Sequence, residues 1–115
     1  MSAEDFYLKA GYTLKNWYTE FDASTTLAIA TPNTSMKVVI TSLNITNNDA
    51  AGTFRLSFGN LAGSKIAEFT VGASAFITPR IGAIACTAYD RSIFGRPSSS
   101  ATNGWRVFAT GFEID

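Results

Sequence analysis

The sequence has 115 residues, 46% of them hydrophobic, with one cysteine, no histidine, and nine basic side chains that cancel nine acidic ones. That length supplies one domain with its own core and excludes two. A chain without net charge has no long-range field to draw in phosphate backbones or anionic lipid, so neither nucleic acid nor a membrane is an expected partner.

The first 35 residues are rich in aromatic side chains, with Phe6, Tyr7, Tyr12, Trp17, Tyr18 and Phe21 ahead of a Pro32-Asn33 break. They read as an N-terminal arm plus the first one or two strands, one of them over residues 25–31. A helix over residues 12–21 is disfavoured by Thr13, Asn16 and Thr19. Residues 36–115 read as the sandwich core of the same domain. Within it, residues 37–46 form a strand, and the turn-prone run from Asn47 to Gly52 returns the chain as a hairpin into residues 53–58. There Phe54, Leu56 and Phe58 point one way while Thr53, Arg55 and Ser57 point the other.

Residues 65–71 alternate again and stop at Gly72 and Ser74. Short strands follow over residues 76–77, 81–88 and 91–95, with Pro79 at an edge or bend because it cannot donate to a ladder. Residues 96–104 carry turn chemistry and little to bury, so they form a surface loop. Residues 105–114 close the chain as a strand. The spacing of turn signals every eight to twelve residues predicts an all-β fold, an antiparallel β-sandwich.

Two strands are apolar on both faces, which a two-layer sandwich does not explain. In the last strand Trp105 and Val107 share one face, whereas Phe108, Phe112 and Ile114 share the other, with Gly111 placed where a bulge could shift the alternation. Earlier, Val38 and Ile40 lie on one parity and Val39, Leu43 and Ile45 on the opposite one. Either the aromatic arm folds back over the second faces, or a second subunit covers them. Burying a Phe or Ile side chain is worth ~1.5–3 kcal/mol, which favours the second choice on a weakly charged surface. The expectation is a homo-oligomer, a trimer favoured, with Trp105, Val107, Phe108, Phe112, Ile114, Val38 and Ile40 at the interface.

Catalytic chemistry has few candidates. Without histidine the commonest general base, the Ser-His and Cys-His nucleophile pairs and most zinc sites are excluded. Cys86 lies in an apolar run and reads as a buried structural thiol. The acidic residues are scattered over turns and ends, without the paired placement of a glycosidase, and Asn47, Asn48 and Asp49 read as an Asx-rich turn, not a calcium loop. No enzyme activity, cofactor or metal is expected. Tyr89, Arg91, Phe94 and Arg96 form a candidate surface for stacking on a ligand such as a sugar.

The segments KVVITSLNITNNDAAGTFRLSFG, RSIFGRPSSSATN and GWRVFATGFEID together resemble, in their order of strands and polar turns, the small β-sandwich modules of tailed-phage virion proteins. These occur among capsid decoration and tail-fibre or baseplate proteins. The resemblance covers about two-thirds of the chain. It implies a jelly-roll-like sandwich, usually trimeric, located in the virion and attached to the major capsid protein or another virion protein through an N-terminal segment. Here that segment would carry Phe6, Tyr7, Tyr12, Trp17, Tyr18 and Phe21. With no signal peptide in the first residues, the chain would be made in the host cytoplasm. A capsid decoration role is the first expectation, and a receptor- or carbohydrate-binding module of a tail fibre or spike is the alternative.

Overall fold

Alternating apolar and polar residues, rich in Val, Ile, Thr and Phe, favour extended chain. The computed structural model of the protein describes residues 2–58, 65–86, 88–98 and 102–115. These residues form one helix, α1 (Ala3–Lys9), and nine strands: β1 (Leu14–Phe21), β2 (Leu27–Ala30), β3 (Lys37–Asn47), β4 (Gly52–Ser57), β5 (Lys65–Val71), β6 (Ala75–Ile77), β7 (Ile84–Ala85), β8 (Ile93–Pro97) and β9 (Trp105–Ile114). Ser99, Ser100 and Ala101, in the middle of the expected surface loop, lie outside the described residues. No helix among the described residues is long and apolar enough to cross a membrane.

The strands make two antiparallel sheets, one ordered β1-β9-β3-β6 with β7 also on β3, the other ordered β2-β8-β4-β5. First strand lies beside last, second beside eighth, third beside sixth and fourth beside fifth. That nesting, in which a long folded-back ribbon wraps into two facing sheets, is the jelly roll. The chain is an all-β sandwich.

The nesting corrects the expected hairpin. β3 and β4 belong to different sheets, so the 48–51 segment arches across the sandwich. Asn47, fully buried, holds the arch: its Nδ2 donates to the Ala50 and Gly72 carbonyls at 2.9 and 3.1 Å, and its Oδ1 accepts from the Asp49 N–H at 2.8 Å. The last of these bonds is an Asx turn, the local alternative to a backbone turn.

The core lies between the sheets. Phe21 meets Phe54 edge to face with centroids 5.4 Å apart, and Phe54 stacks on Trp105 at 6.1 Å. Gly95 on β8 lets that ring in, since a Cβ there would overlap the Phe54 side chain. Ile29, Leu43, Ile45, Leu56, Val71 and Ile93 complete the packing with Cys86, which is buried and free.

Apart from Val39, β3 is apolar on one face only. It pairs with β9 as Ile40 opposite Gly111 and then Ser42 opposite Thr110, which leaves Thr41 as an extra residue. Such a bulge flips the parity of everything beyond it. Val38 and Ile40 on one side of the bulge, and Leu43 and Ile45 on the other, therefore all face the same core. The irregularity expected in the last strand sits in its partner.

The opposite face is lined where it needs to be. Val39 and Phe112 are cross-strand partners, both fully buried, yet neither belongs to the central core. The Tyr7 ring of α1 covers Phe112 at a centroid distance of 5.3 Å. The helix itself starts at an N-cap, Ser2, whose hydroxyl accepts from the Asp5 N–H at 3.1 Å, with Glu4 and Asp5 in the first turn favouring the positive end of the helix dipole.

Candidate assembly surface

Of the six residues expected to anchor the chain through a separate arm, three are built into the sandwich. Trp17, Tyr18 and Phe21 lie on β1, an eight-residue strand paired along its length with β9 from Leu14 opposite Phe112 to Phe21 opposite Trp105. Alternation in that strand sends Phe21 wholly into the core, and half-buries Trp17 against it, with the indole Nε1–H donating to the Thr31 carbonyl at 3.3 Å. Tyr7 is spent on Phe112, and Tyr12 donates its hydroxyl proton to Asp115 at 2.6 Å. Of the six, Phe6 and Tyr18 present large exposed rings.

The expected interface set is corrected in the same way. Val38, Ile40, Trp105 and Val107 are buried between the chain's own two sheets, and Phe112 lies under α1, so none of the five has a surface to offer. Ile114 is half-buried at the end of β9. Phe108 is the exception, at 52% exposed. The Trp105 ring is wholly buried, and its indole Nε1–H has no hydrogen-bond partner.

Register shows what lies around Phe108. On the outer face of the first sheet it sits opposite Tyr18 on β1 and Asn44 on β3. One step along, Arg106 is opposite Glu20 and Thr46, and Thr46 is opposite Phe76 on β6. The Tyr18 and Phe108 rings pack with centroids 4.4 Å apart and planes inclined by 38°. Both remain about half exposed, Tyr18 at 46%, and Phe76 is 68% exposed. Phe76 was not singled out in the sequence, where one aromatic residue in a three-residue strand carries no periodic signal.

Electrostatics fix the rim of this face. Tyr18 donates its hydroxyl to Glu20 at 2.5 Å, and Arg106 Nε approaches the same carboxylate at 3.9 Å. The Glu20 bond, then desolvation, raises the Tyr18 phenol above its ordinary pKa. On the opposite, core-facing parity, at the far end of β1 and β9, Lys15 closes on Glu113 at 2.5 Å, and the Glu113 side chain is almost wholly buried. Unpaired, that carboxylate would be costly to bury.

The four residues expected to stack on a ligand do not converge. Tyr89, exposed, carries the Lys37 ammonium 4.6 Å from its ring centroid at the start of β3. Phe94 and Arg96 lie on the outer face of β8, opposite Ser57 and Arg55 of β4, and Arg91 is exposed just before that strand. Among the described residues no group of three or more acidic, cysteine or histidine side chains could hold a metal ion.

No protein-family model matches the chain, and no curated protein matches it in sequence. Among solved structures it is similar to a subunit of Bacillus endospore appendages, described as disulfide-linked pili, at 11% identity and a TM-score of 0.49, over 90% of this chain and 88% of that one. It is also similar to a chain of the virus-like particle of the extra small virus of the giant freshwater prawn Macrobrachium rosenbergii, at 9% identity and a TM-score of 0.43, over 91% of this chain and 80% of that one.

Proposed function

We propose that this protein is a virion structural subunit that works by packing and not by catalysis, and that it self-associates through the outer face of the β1-β9-β3-β6 sheet. The observation that carries this reading is the exposed Tyr18–Phe108 pair, with Phe76 on the same face, in a chain of zero net charge. Aromatic residues are enriched at the centres of protein interfaces, and the absence of net charge removes the repulsion that keeps many domains monomeric. In tailed-phage terms, the role is that of a capsid decoration subunit bound to the major capsid protein.

Sedimentation velocity at micromolar concentration tests the self-association. The wild type is expected to sediment as a closed oligomer, three chains being the number that the phage resemblance implies, and Tyr18→Ser with Phe108→Ser as a monomer of unchanged fold. A wild-type protein that remains monomeric overturns the proposal. Co-sedimentation with assembled capsids tests the decoration role separately, and saturable binding lost in the same double variant supports it.

A further inference from the structure

The outer face of the second sheet holds an arrangement that the sandwich does not need. Arg55 and Arg96 are direct cross-strand neighbours on β4 and β8. Like charges placed opposite each other in an antiparallel pair oppose pairing. Neither guanidinium forms a salt bridge or donates a hydrogen bond among the described residues, and Arg55 Nε is buried with no hydrogen-bond partner. A buried donor in that condition costs stability in the free protein.

Both residues line a recess of about 140 Å³, together with Thr53, Glu68, Pro97 and Ser98. The carboxylate of Glu68, opposite Arg55 on β5, is occupied elsewhere: Lys65 Nζ reaches it at 2.9 Å. That bond, followed by one from Thr53 and then the Lys65 charge, holds the Glu68 carboxyl below its ordinary pKa, with the Arg55 charge a smaller contribution. Ser98 is set by its own backbone, since its hydroxyl oxygen accepts from the Thr53 N–H at 2.7 Å while its N–H donates to the Thr53 carbonyl at 2.8 Å. Its hydroxyl proton is left to donate. Two guanidiniums and one hydroxyl proton thus border a space the size of a single small anionic group, and the one carboxylate lining it, Glu68, is bonded to Lys65 and Thr53.

We propose that this recess binds one oxyanion group, a carboxylate, sulfate or phosphate borne by a surface ligand, between the Arg55 and Arg96 guanidiniums. The planar fork of arginine matches such groups with paired, charge-assisted hydrogen bonds, and an anion bridging the two would remove their mutual repulsion. This site is on the opposite sheet from the aromatic face and does not depend on self-association.

Calorimetric titration with sodium sulfate, sodium phosphate and sodium glucuronate tests it, the last distinguishing a sugar carboxylate from the inorganic ions. Saturable millimolar binding of at least one probe is expected, with a matching rise in melting temperature. Arg96→Gln should weaken it roughly tenfold or more. Arg96→Lys, which keeps the charge but loses the fork, should weaken it several-fold while preserving the fold. Arg106→Gln, on the other sheet, should bind as the wild type does. No saturable binding of any probe overturns the proposal, as does unaltered binding by the Arg96 variants, or an equal loss in Arg106→Gln, which would mean attraction to charge in general.

Discussion

Gly111 on β9 sits directly under the carbonyl oxygen of Val39, so close that a Cβ at that position would overlap it and crowd Ile40 Cα. The glycine is what lets β3 carry its extra residue Thr41 without parting from β9. Gly111→Ala should therefore destabilise by about 2–3 kcal/mol, as overpacking against backbone does. Thermal denaturation measures it, and a melting temperature within a degree of wild type would contradict the tight approach.

Among the described residues, Tyr7 over Phe112 is the ring contact that joins α1 to the sheets. Seven helical residues are too few to persist alone in water, so the helix depends on its docking. Tyr7→Ala should lower stability by about 1–2 kcal/mol through the lost aromatic contact. Hydrogen exchange should show loss of protection in residues 6–10 with the β1–β9 ladder still protected.

Asn47 uses both amide protons and its carbonyl oxygen at the β3–β4 arch. Asn47→Asp presents carboxylate oxygen to the carbonyls of Ala50 and Gly72 in a buried place. A loss of about 3 kcal/mol or more is expected from the unmet acceptors and the buried charge. Urea denaturation of the two proteins measures the difference.

The bond between Tyr12 and Asp115 gives the N-terminal segment a pH window. Its hydrogen bond from Tyr12 lowers the Asp115 pKa, and the same bond, with desolvation and the Asp115 charge, raises that of Tyr12. A lowered carboxyl stabilises the fold above its unfolded value and loses that effect as pH falls through the folded value. A raised phenol stabilises below its unfolded value and loses the effect as pH rises through the folded one. Protection of α1 should thus be greatest between these limits and fall off at both ends, and Tyr12→Phe should abolish both dependences. Both groups are exposed, so the change in global stability should be small.

Much of the strand content could be read from alternation. β5 and β9 run over the residues that the pattern predicts, β3 runs one residue further at its end, and β4 is shifted by one residue at both ends. Connectivity was less legible because Asn47 to Gly52 carries the same turn residues whether it closes a hairpin or spans two sheets; only tertiary pairing decides. The bulge at Thr41 hid the true face of β3, since an inserted residue makes one buried face look like two. For α1, the signal was present as Ser2 three residues before Asp5 but was outweighed by the aromatic content of the segment. The exposed face is harder still. Phe108 stood out through its parity, whereas Phe76 and Arg55 acquire meaning only from their neighbours across strands, which no local pattern contains.

The position of β9 has a consequence for how the molecule is made. It is the centre of its sheet, flanked by β1 on one side and β3 on the other, and it pairs Leu14 with Phe112 across nearly the whole chain. Until residues 105–114 arrive, β1 has no ladder partner and β3 shows an open edge. Contacts of such high sequence separation are slow to form because the closure entropy precedes any gain. The nascent chain therefore spends its synthesis with unsatisfied strand edges, a state prone to misassociation, and substitutions that weaken β9 should act on folding yield before they act on the finished subunit.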